Sequence, residues 1–356
     1  MRVGAFVLAA QFPGQGQSEA LHRAVRTADA AEAAGLDAVW LAEHHFVPYG
    51  VCPSATTLAA LMLGRTRRIG VGTAVSVLPN AHPVALGEQA ALLHLTSGGR
   101  FTLGVGRGGP WVDLEVFGGG VDAYERGFPE ALDLLLRWLR EPRVGADGER
   151  FRFREVDVVP RADEPLPPPV PAGSGTAGGI GAGPPVVVAC TSPRSVRLAA
   201  RHGLPMVLGM HCGDEEKAEM VALWRREARD AGLSSDAVEA AAALHVSAGV
   251  AQVEDSTRDA RENLTKAMPG WFRLGLGAHR TVDDRKRSLR DPVAYTELLC
   301  DMHPVGTPRL CADRLAATAE RTGIGRFALL VEGTGDLAAT ERNVARLGSE
   351  VLPQLP

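Results

Sequence analysis

Val3-Gly4-Ala5-Phe6-Val7-Leu8, then Ser18–Ala34, then Asp37-Ala38-Val39-Trp40-Leu41-Ala42 is the stretch that decides the fold. The first run is short, continuous and apolar, as expected of a strand buried on both faces. In the second, Leu21, Val25 and Ala28 recur at helical spacing and Gly35 closes the helix. The third is again a buried strand. Outward from this unit the rhythm continues. Thr57–Leu63 reads as a helix, Arg68–Ala74 as a strand, and Pro83–Leu95 as a helix opened by its proline. Phe101–Val105 is a strand and Glu130–Leu139 a helix. Pro185–Ala189 is followed by helix Pro193–His202, and Leu204–Leu208 by the charged helix Asp214–Ala231. Leu244–Val253 and Phe327–Val331 supply the last two strands, and Leu337–Leu352 the last helix. Strand–helix alternation implies parallel strands joined by crossover helices. Eight such units predict an α/β fold of the (β/α)8 TIM-barrel type with loop insertions. An open doubly wound sheet shares the alternation; the strand count separates the two.

At 356 residues the chain is long enough for about two domains by a length prior of roughly 100–200 residues each. A barrel is the exception to that prior, so a single domain over residues 1–356 is expected. Apolar residues make up 45% and charged residues 22%, a globular balance with ample core. The net charge of −4 offers no basic field for nucleic acid or anionic lipid. Lys217, Lys266 and Lys286 are the only lysines, an Arg- and Ala-rich usage that reads as a GC-rich genome. Cys52, Cys190, Cys212, Cys300 and Cys311 lack CxxC spacing, which argues against a disulfide framework or zinc knuckle. MRVGAFVLAAQ is too short and too soon interrupted for a signal peptide, and no apolar run approaches a membrane span. A soluble, reduced, cytoplasmic protein is expected.

Three segments break the rhythm. Glu149–Pro160 alternates with period two, as a small hairpin outside the barrel would. Residues 161–185 are rich in Pro and Gly and read as a flexible connection. Trp271–Met302 reads as an irregular, lid-like stretch, because long loops on barrels wall the site.

The chemistry is expected at the strand ends. Glu43-His44-His45 follows the second strand, where a barrel residue faces the mouth, and an imidazole there can move protons at neutral pH. Packed histidines are the plain alternative, and the absence of HExxH or a Cys/His companion speaks against a metal. Gly104-Val105-Gly106-Arg107-Gly108-Gly109 matches GxGxxG, but the following helix and the acidic residue of a dinucleotide fingerprint are missing. A glycine-rich turn with one guanidinium remains, suited to phosphate. Thr191-Ser192-Pro193-Arg194-Ser195 opens a helix after the fifth strand, either as an anion site or as a plain N-cap. Strands four and five are neighbours in a barrel, which brings this segment beside Arg107.

These residues carry a resemblance. LAEHHF, VGTAVSVLPNAHPV, GRFTLGVGRG, RHGLPMVL and HPVGTP, in that order along nearly the whole chain, resemble the luciferase-like flavin monooxygenases, most of all the bacterial luciferase α subunit. The resemblance implies a barrel that binds FMN or, in one branch, the deazaflavin F420. It implies reduced flavin (FMNH2) delivered by a separate flavin reductase, and O2 adding at C4a to give a peroxyflavin that oxygenates a substrate; the weakly charged, Ala/Gly/Leu-rich composition fits a small apolar organic one, and a natural-product tailoring step suits this reading. His44 falls on the family's mouth acid–base, and Phe6 starts the matching region as a cofactor-side candidate. Arg107, Thr191, Ser192 and Ser195 fall on the phosphate rim, with Arg126 a further candidate. Ala74–Val75 falls where the family often has a non-proline cis peptide. Three departures stand out: Thr191 replaces an acidic residue, Gly106 replaces a cysteine and opens space near the ring, and the lid region is shorter. They touch light emission and a long-chain aldehyde preference rather than flavin binding. An F420-dependent hydride transfer and a non-catalytic flavin-binding partner subunit are the competing readings.

Family members pair through the helices after strands two and three. Leu58, Leu61, Met62, Leu86, Ala90 and Leu93 accordingly predict a two-fold homodimer, with a heterodimer as the alternative. His45 would meet Glu88 of the other subunit or be satisfied within its own chain.

Overall fold

The computed structural model describes residues 1–164, 166, 183–285 and 290–356. Among these residues eight parallel strands close a ring: β1 Arg2–Val7, β2 Ala38–Leu41, β3 Gly70–Thr73, β4 Phe101–Gly106, β5 Val186–Cys190, β6 Met206–Leu208, β7 Val246–Val250 and β8 Arg326–Leu330. Each pairs with the next, and β8 returns to β1 in the register Arg2↔Arg326 through Phe6↔Leu330. This is the (β/α)8 barrel, not an open sheet.

Alternation along each strand separates two cores. Phe6, Leu8, Ala38, Trp40, Val187, Val207, Val246, Ala248, Ala328 and Leu330 fill the barrel interior. Val3, Ala5, Val7, Val39, Leu41, Val71, Leu103 and Val188 face the helices. Trp40 plugs the interior over Gly72, where an added β-carbon would stand 2.6 Å from its ring.

The surrounding helices are α1 Gln17–Ala33, α2 Ala55–Arg65, α3 Pro83–Thr96, α4 Phe128–Arg140, α5 Pro193–Arg201, α6 Asp214–Asp230, α7 Ser235–Ala242, α8 Thr257–Gly277, α9 Pro292–Met302, α10 Pro308–Thr322 and α11 Leu337–Arg346. Side-chain N-caps start many of them: Ser54, Ser192, Ser234, Ser256, Asp291, Thr307 and Asp336 each accept a first-turn N–H. Each such cap contributes about 1 kcal/mol. No helix among the described residues is long and apolar enough to cross a membrane.

Several expectations need correction. The stretch 271–302 is largely helical, because Trp271 and Phe272 lie buried within α8 and Leu299 and Cys300 within α9. Pro269 inside α8 masked its period, since a proline usually ends a helix. The hairpin joins Arg143–Asp147 to Arg152–Asp157, so its first strand precedes the alternating segment and Gly148 lies in its turn. The seventh strand ends at Val250, and Gln252–Val253 pairs instead with Val305–Gly306 outside the barrel. Most of the Pro/Gly-rich connection (165 and 167–182) lies outside the described residues.

Candidate active site

The C-terminal end of β2 runs into Glu43-His44-His45. Glu43 is a clamp: one carboxylate oxygen accepts from Val77 N at 3.0 Å and the other from Ala55 N at 3.2 Å. Charge-assisted bonds of this kind tie the end of β2 to the start of α2 and to the segment after β3. That segment carries a cis peptide between Ala74 and Val75. Ala74 N donates to Leu41 O at 2.6 Å, and Ser76–Val77 pairs with Val105–Gly106 of β4. Residues 74–77 thus form a wall shared by the His44 segment and the β4 rim.

His44 sits in an aromatic surround, with Tyr49 5.0 Å away edge-on and His279 at 6.4 Å. Tyr49 stacks on Trp271 at 4.7 Å, and His279 packs on Trp111 at 4.5 Å. Its Nδ1 is buried with no hydrogen-bond partner among the described residues. Burial, helped by the neighbouring His279 and His45, pushes the His44 pKa down to about 3, so the imidazole is neutral at physiological pH. A neutral imidazole with a free nitrogen can accept a proton or orient a reacting group. His45 turns the other way: its Nε2 lies 3.5 Å from Glu43 of its own chain, and its ring packs on Phe117 at 4.9 Å. This approach leaves His45 Nε2 without a hydrogen-bond partner among the described residues, and Glu88 is exposed on α3.

The second element is a cavity of ≈ 470 Å³ between the ends of β4 and β5, lined by Val75, Gly106, Arg107, Thr191, Ser192 and Ser195 among others. Arg107 lies over the Tyr124 ring at 4.1 Å and meets no carboxylate among the described residues. The N-terminus of α5 opens beside it, adding its partial positive charge. Ser192 and Ser195 form a reciprocal capping box: Ser192 Oγ accepts from Ser195 N, and Ser195 Oγ accepts from Thr191 N and Ser192 N at 3.2 Å each. The N-cap reading of this segment is thus present alongside its place on the cavity wall.

Sequence reasoning reached Arg194 within the Thr191–Ser195 segment but missed two further arginines on that wall, Arg197 and Arg201. The spacing of three and then four from Arg194 puts all three on one face of α5, a signal present in the sequence. Glu125 is the only carboxylate on the wall, so the described lining is cationic.

Other expected site residues lie elsewhere. Arg126 is exposed and ion-paired with Asp122, and it does not line the cavity. Phe6 is buried in the barrel interior with Leu8 and Trp40. The space expected at Gly106 is filled, because a β-carbon there would collide with Cγ2 of Val75. Gly104 is required more strictly: a β-carbon would strike the Thr73 carbonyl oxygen. Thr73 Oγ1 donates to Gly104 O at 2.6 Å and accepts from Gly104 N at 2.9 Å, pinning β3 to β4 below the cavity.

The chain is similar to known proteins over its whole length. The alkanal monooxygenase alpha chain of Photorhabdus luminescens is 29% identical over 373 residues, covering 100% of this chain and 97% of the relative. Among solved structures, the monooxygenase RslO1 from Streptomyces bottropensis superposes with a TM-score of 0.79 at 22% identity, covering 99% of each chain. The oxygenating constituent of 3,6-diketocamphane monooxygenase from Pseudomonas putida, a type II Baeyer-Villiger monooxygenase solved with FMN, gives 0.74 at 19% identity over 100% of this chain and 99% of that one. The family model described as luciferase-like monooxygenase matches residues 1–326, and the chain belongs to that family of enzymes.

Proposed function

We propose that this chain is a reduced-flavin-dependent monooxygenase that takes FMNH2 from a separate reductase, O2, and an apolar organic substrate of the natural-product type. One observation carries the reading: a cationic cavity at the β4–β5 rim shares the wall 74–77 with the segment that holds a neutral, unpaired His44. Its volume is within the range of cofactor sites, and its donor set suits a phosphate monoester. Arg107 and the N-terminus of α5 would hold the phosphate, with Arg194 and Arg201 adding positive field, while Arg197 is answered by Glu227 at 3.1 Å. Val75, Gly106 and Ala189 would form the apolar floor. When bound, reduced flavin supplies the electrons that activate O2.

The chain's own residues then have separate tasks. Tyr49, Trp111 and Trp271 exclude water from the mouth, which protects reactive species from hydrolysis. Glu43 fixes the angle at which His44 leaves β2. His44 accepts or returns a proton beside the reacting atoms.

Assembly is proposed to be a two-fold homodimer. Of the six residues that motivated it, Met62, Leu86, Ala90 and Leu93 are buried within the chain. Outward apolar surface on the same helices comes from Leu61 at 50% and Leu92 at 54% exposure. A monomer by light scattering at micromolar concentration would reject the dimer.

Anaerobic titration tests the cofactor assignment. Reduced FMN should bind, reduced riboflavin should bind more weakly, and reduced F420 should not displace FMN. Admission of O2 with substrate should then give oxygenated product faster than free reduced flavin autoxidises. Tight binding of F420 with hydride transfer and no O2 consumption would overturn the reading.

A further inference from the structure

Two imidazoles, each with an unpartnered Nδ1, meet at the barrel mouth. His44 comes from the end of β2, and His279 from just beyond α8, far away in sequence. Their planes cross at 73° with ring centres 6.4 Å apart, and Tyr49 contacts both, at 5.0 Å and 5.9 Å. Each has a buried Nδ1 without a partner among the described residues. Leaving a buried polar atom unpaired is costly, so two at one site call for a function.

His279 is held where it is. Val112 N donates to Arg280 O and Val282 N to Pro110 O, both at 2.8 Å, making an antiparallel bridge between Trp111 and Thr281. This sets the imidazole on the Trp111 ring. Asp113, on the same segment as Trp111, is buried; one carboxylate oxygen accepts from Asn80 Nδ2 at 2.8 Å and the other has no partner among the described residues.

The two rings are not equivalent. Burial lowers the pKa of His279, while the charge of Asp113 and the Gly275 and Leu276 carbonyls work the other way. At His44 burial, His279 and His45 all oppose protonation. The remaining groups nearby do not change this order. Tyr49 is kept as a neutral phenol by burial, Glu43 is occupied by Val77 N and Ala55 N, and Arg280 is exposed.

We propose that His279, backed by Asp113, is a positioning residue that relays the catalytic proton to and from His44. The proton leaves the His279 imidazolium for a bridging water, which passes one of its own protons to the free nitrogen of the His44 ring. No electron is transferred, and the Asp113 carboxylate supplies the counter-charge. The role in turnover rests on the monooxygenase reading; the coupling of the two rings does not.

The experiment therefore has two readouts on the full-length protein. Histidine ring signals followed by NMR against pH report the coupling without any flavin. His279→Phe keeps a ring on Trp111 but removes the proton site, and His44 should then titrate higher, by roughly one unit if the pair is strongly coupled. Asp113→Asn should move the His279 titration to lower pH. In turnover, His279→Phe should lower kcat by about tenfold or more, as for loss of a proton carrier, with KM for substrate little changed. Asp113→Asn should move the alkaline limb of the kcat–pH profile to lower pH.

A His44 titration unmoved by His279→Phe, or a wild-type kcat and pH profile in that variant, would overturn the proposal and leave His279 as packing. If the coupling appears but the wild-type protein gives no flavin-dependent product, the monooxygenase reading fails instead. Should His279→Phe not fold, Asp113→Asn decides alone: an unchanged His279 titration and pH limb overturn the relay.

Discussion

Two arginines at the same end of the barrel show opposite treatment. At the β8–β1 rim, Arg23 and Glu332 are 1% and 0% exposed and pair at 3.3 Å. Arg23 also donates to Gln15 Oε1, Gly335 O and Ala10 O, while Glu332 accepts from Leu8 N at 2.7 Å. Every charge there is answered by the protein, so the rim is a brace. At the β4–β5 rim, Arg107 meets an aromatic face and a cavity but no carboxylate among the described residues. The same contrast separates Glu43, with both oxygens bonded to N–H groups, from its neighbour His44, whose Nδ1 is unpaired. In these two pairs the saturated group holds the fold, and the unsaturated one faces the cavity or the mouth.

The comparison can be broken most sharply at His44. His44→Ala should lower turnover about 10²–10⁴-fold while reduced-flavin affinity stays near wild type. Unaltered steady-state rates would mean that an unsaturated group at the mouth need not act.

Next in size is the brace. Glu332→Ala leaves the Arg23 guanidinium buried and unpaired, and should destabilise the protein by about 3–5 kcal/mol in denaturant unfolding. A loss below 1 kcal/mol would show that this rim relaxes, and the contrast with Arg107 would lose its basis.

Acid tests the buried neutral groups together. His44, His245 and His303 are each pushed by burial from an ordinary 6.5 down to about 3. Between those values the unfolded chain binds more protons than the folded one, so stability rises with pH. It should fall as pH drops below about 6.5, with a slope approaching three protons, and these groups should contribute nothing to the slope above neutrality. A denaturation midpoint flat from pH 7 to 5 would contradict their burial as neutral rings.

The smallest effect sharpens the rim itself. Arg107→Ala should weaken FMN binding about 10- to 100-fold, as for one charge-assisted contact, yet leave riboflavin binding nearly unchanged. Arg126→Ala, at a surface ion pair, should change neither by a measurable amount. Calorimetry with both flavins checks this, and equal losses for FMN and riboflavin in Arg107→Ala would remove the phosphate assignment.

The alternation of buried runs with amphipathic stretches gave parallel strands with crossover helices, and the count of eight favoured the barrel that the β8–β1 pairing closes. It also put His44, Arg107 and Ser192 at strand ends, because a parallel barrel sends every strand's C-terminus to one mouth. Less regular elements were hidden by local chemistry. Pro269 obscured α8, and the short Ser235–Ala242 helix lies against the end of α6 with too few turns to show a period.

What the sequence by itself determined is the order of elements and the rim to which each polar residue belongs, since both follow from spacing along one chain. Tertiary structure alone decided which of those residues are answered. It sends Arg126 to Asp122, gives Glu43 two backbone partners, fills the space at Gly106 with Val75, and brings His279 across to His44. The reason is physical. Whether a polar atom is satisfied depends on groups that folding brings within about 3 Å, and those groups come from distant parts of the chain.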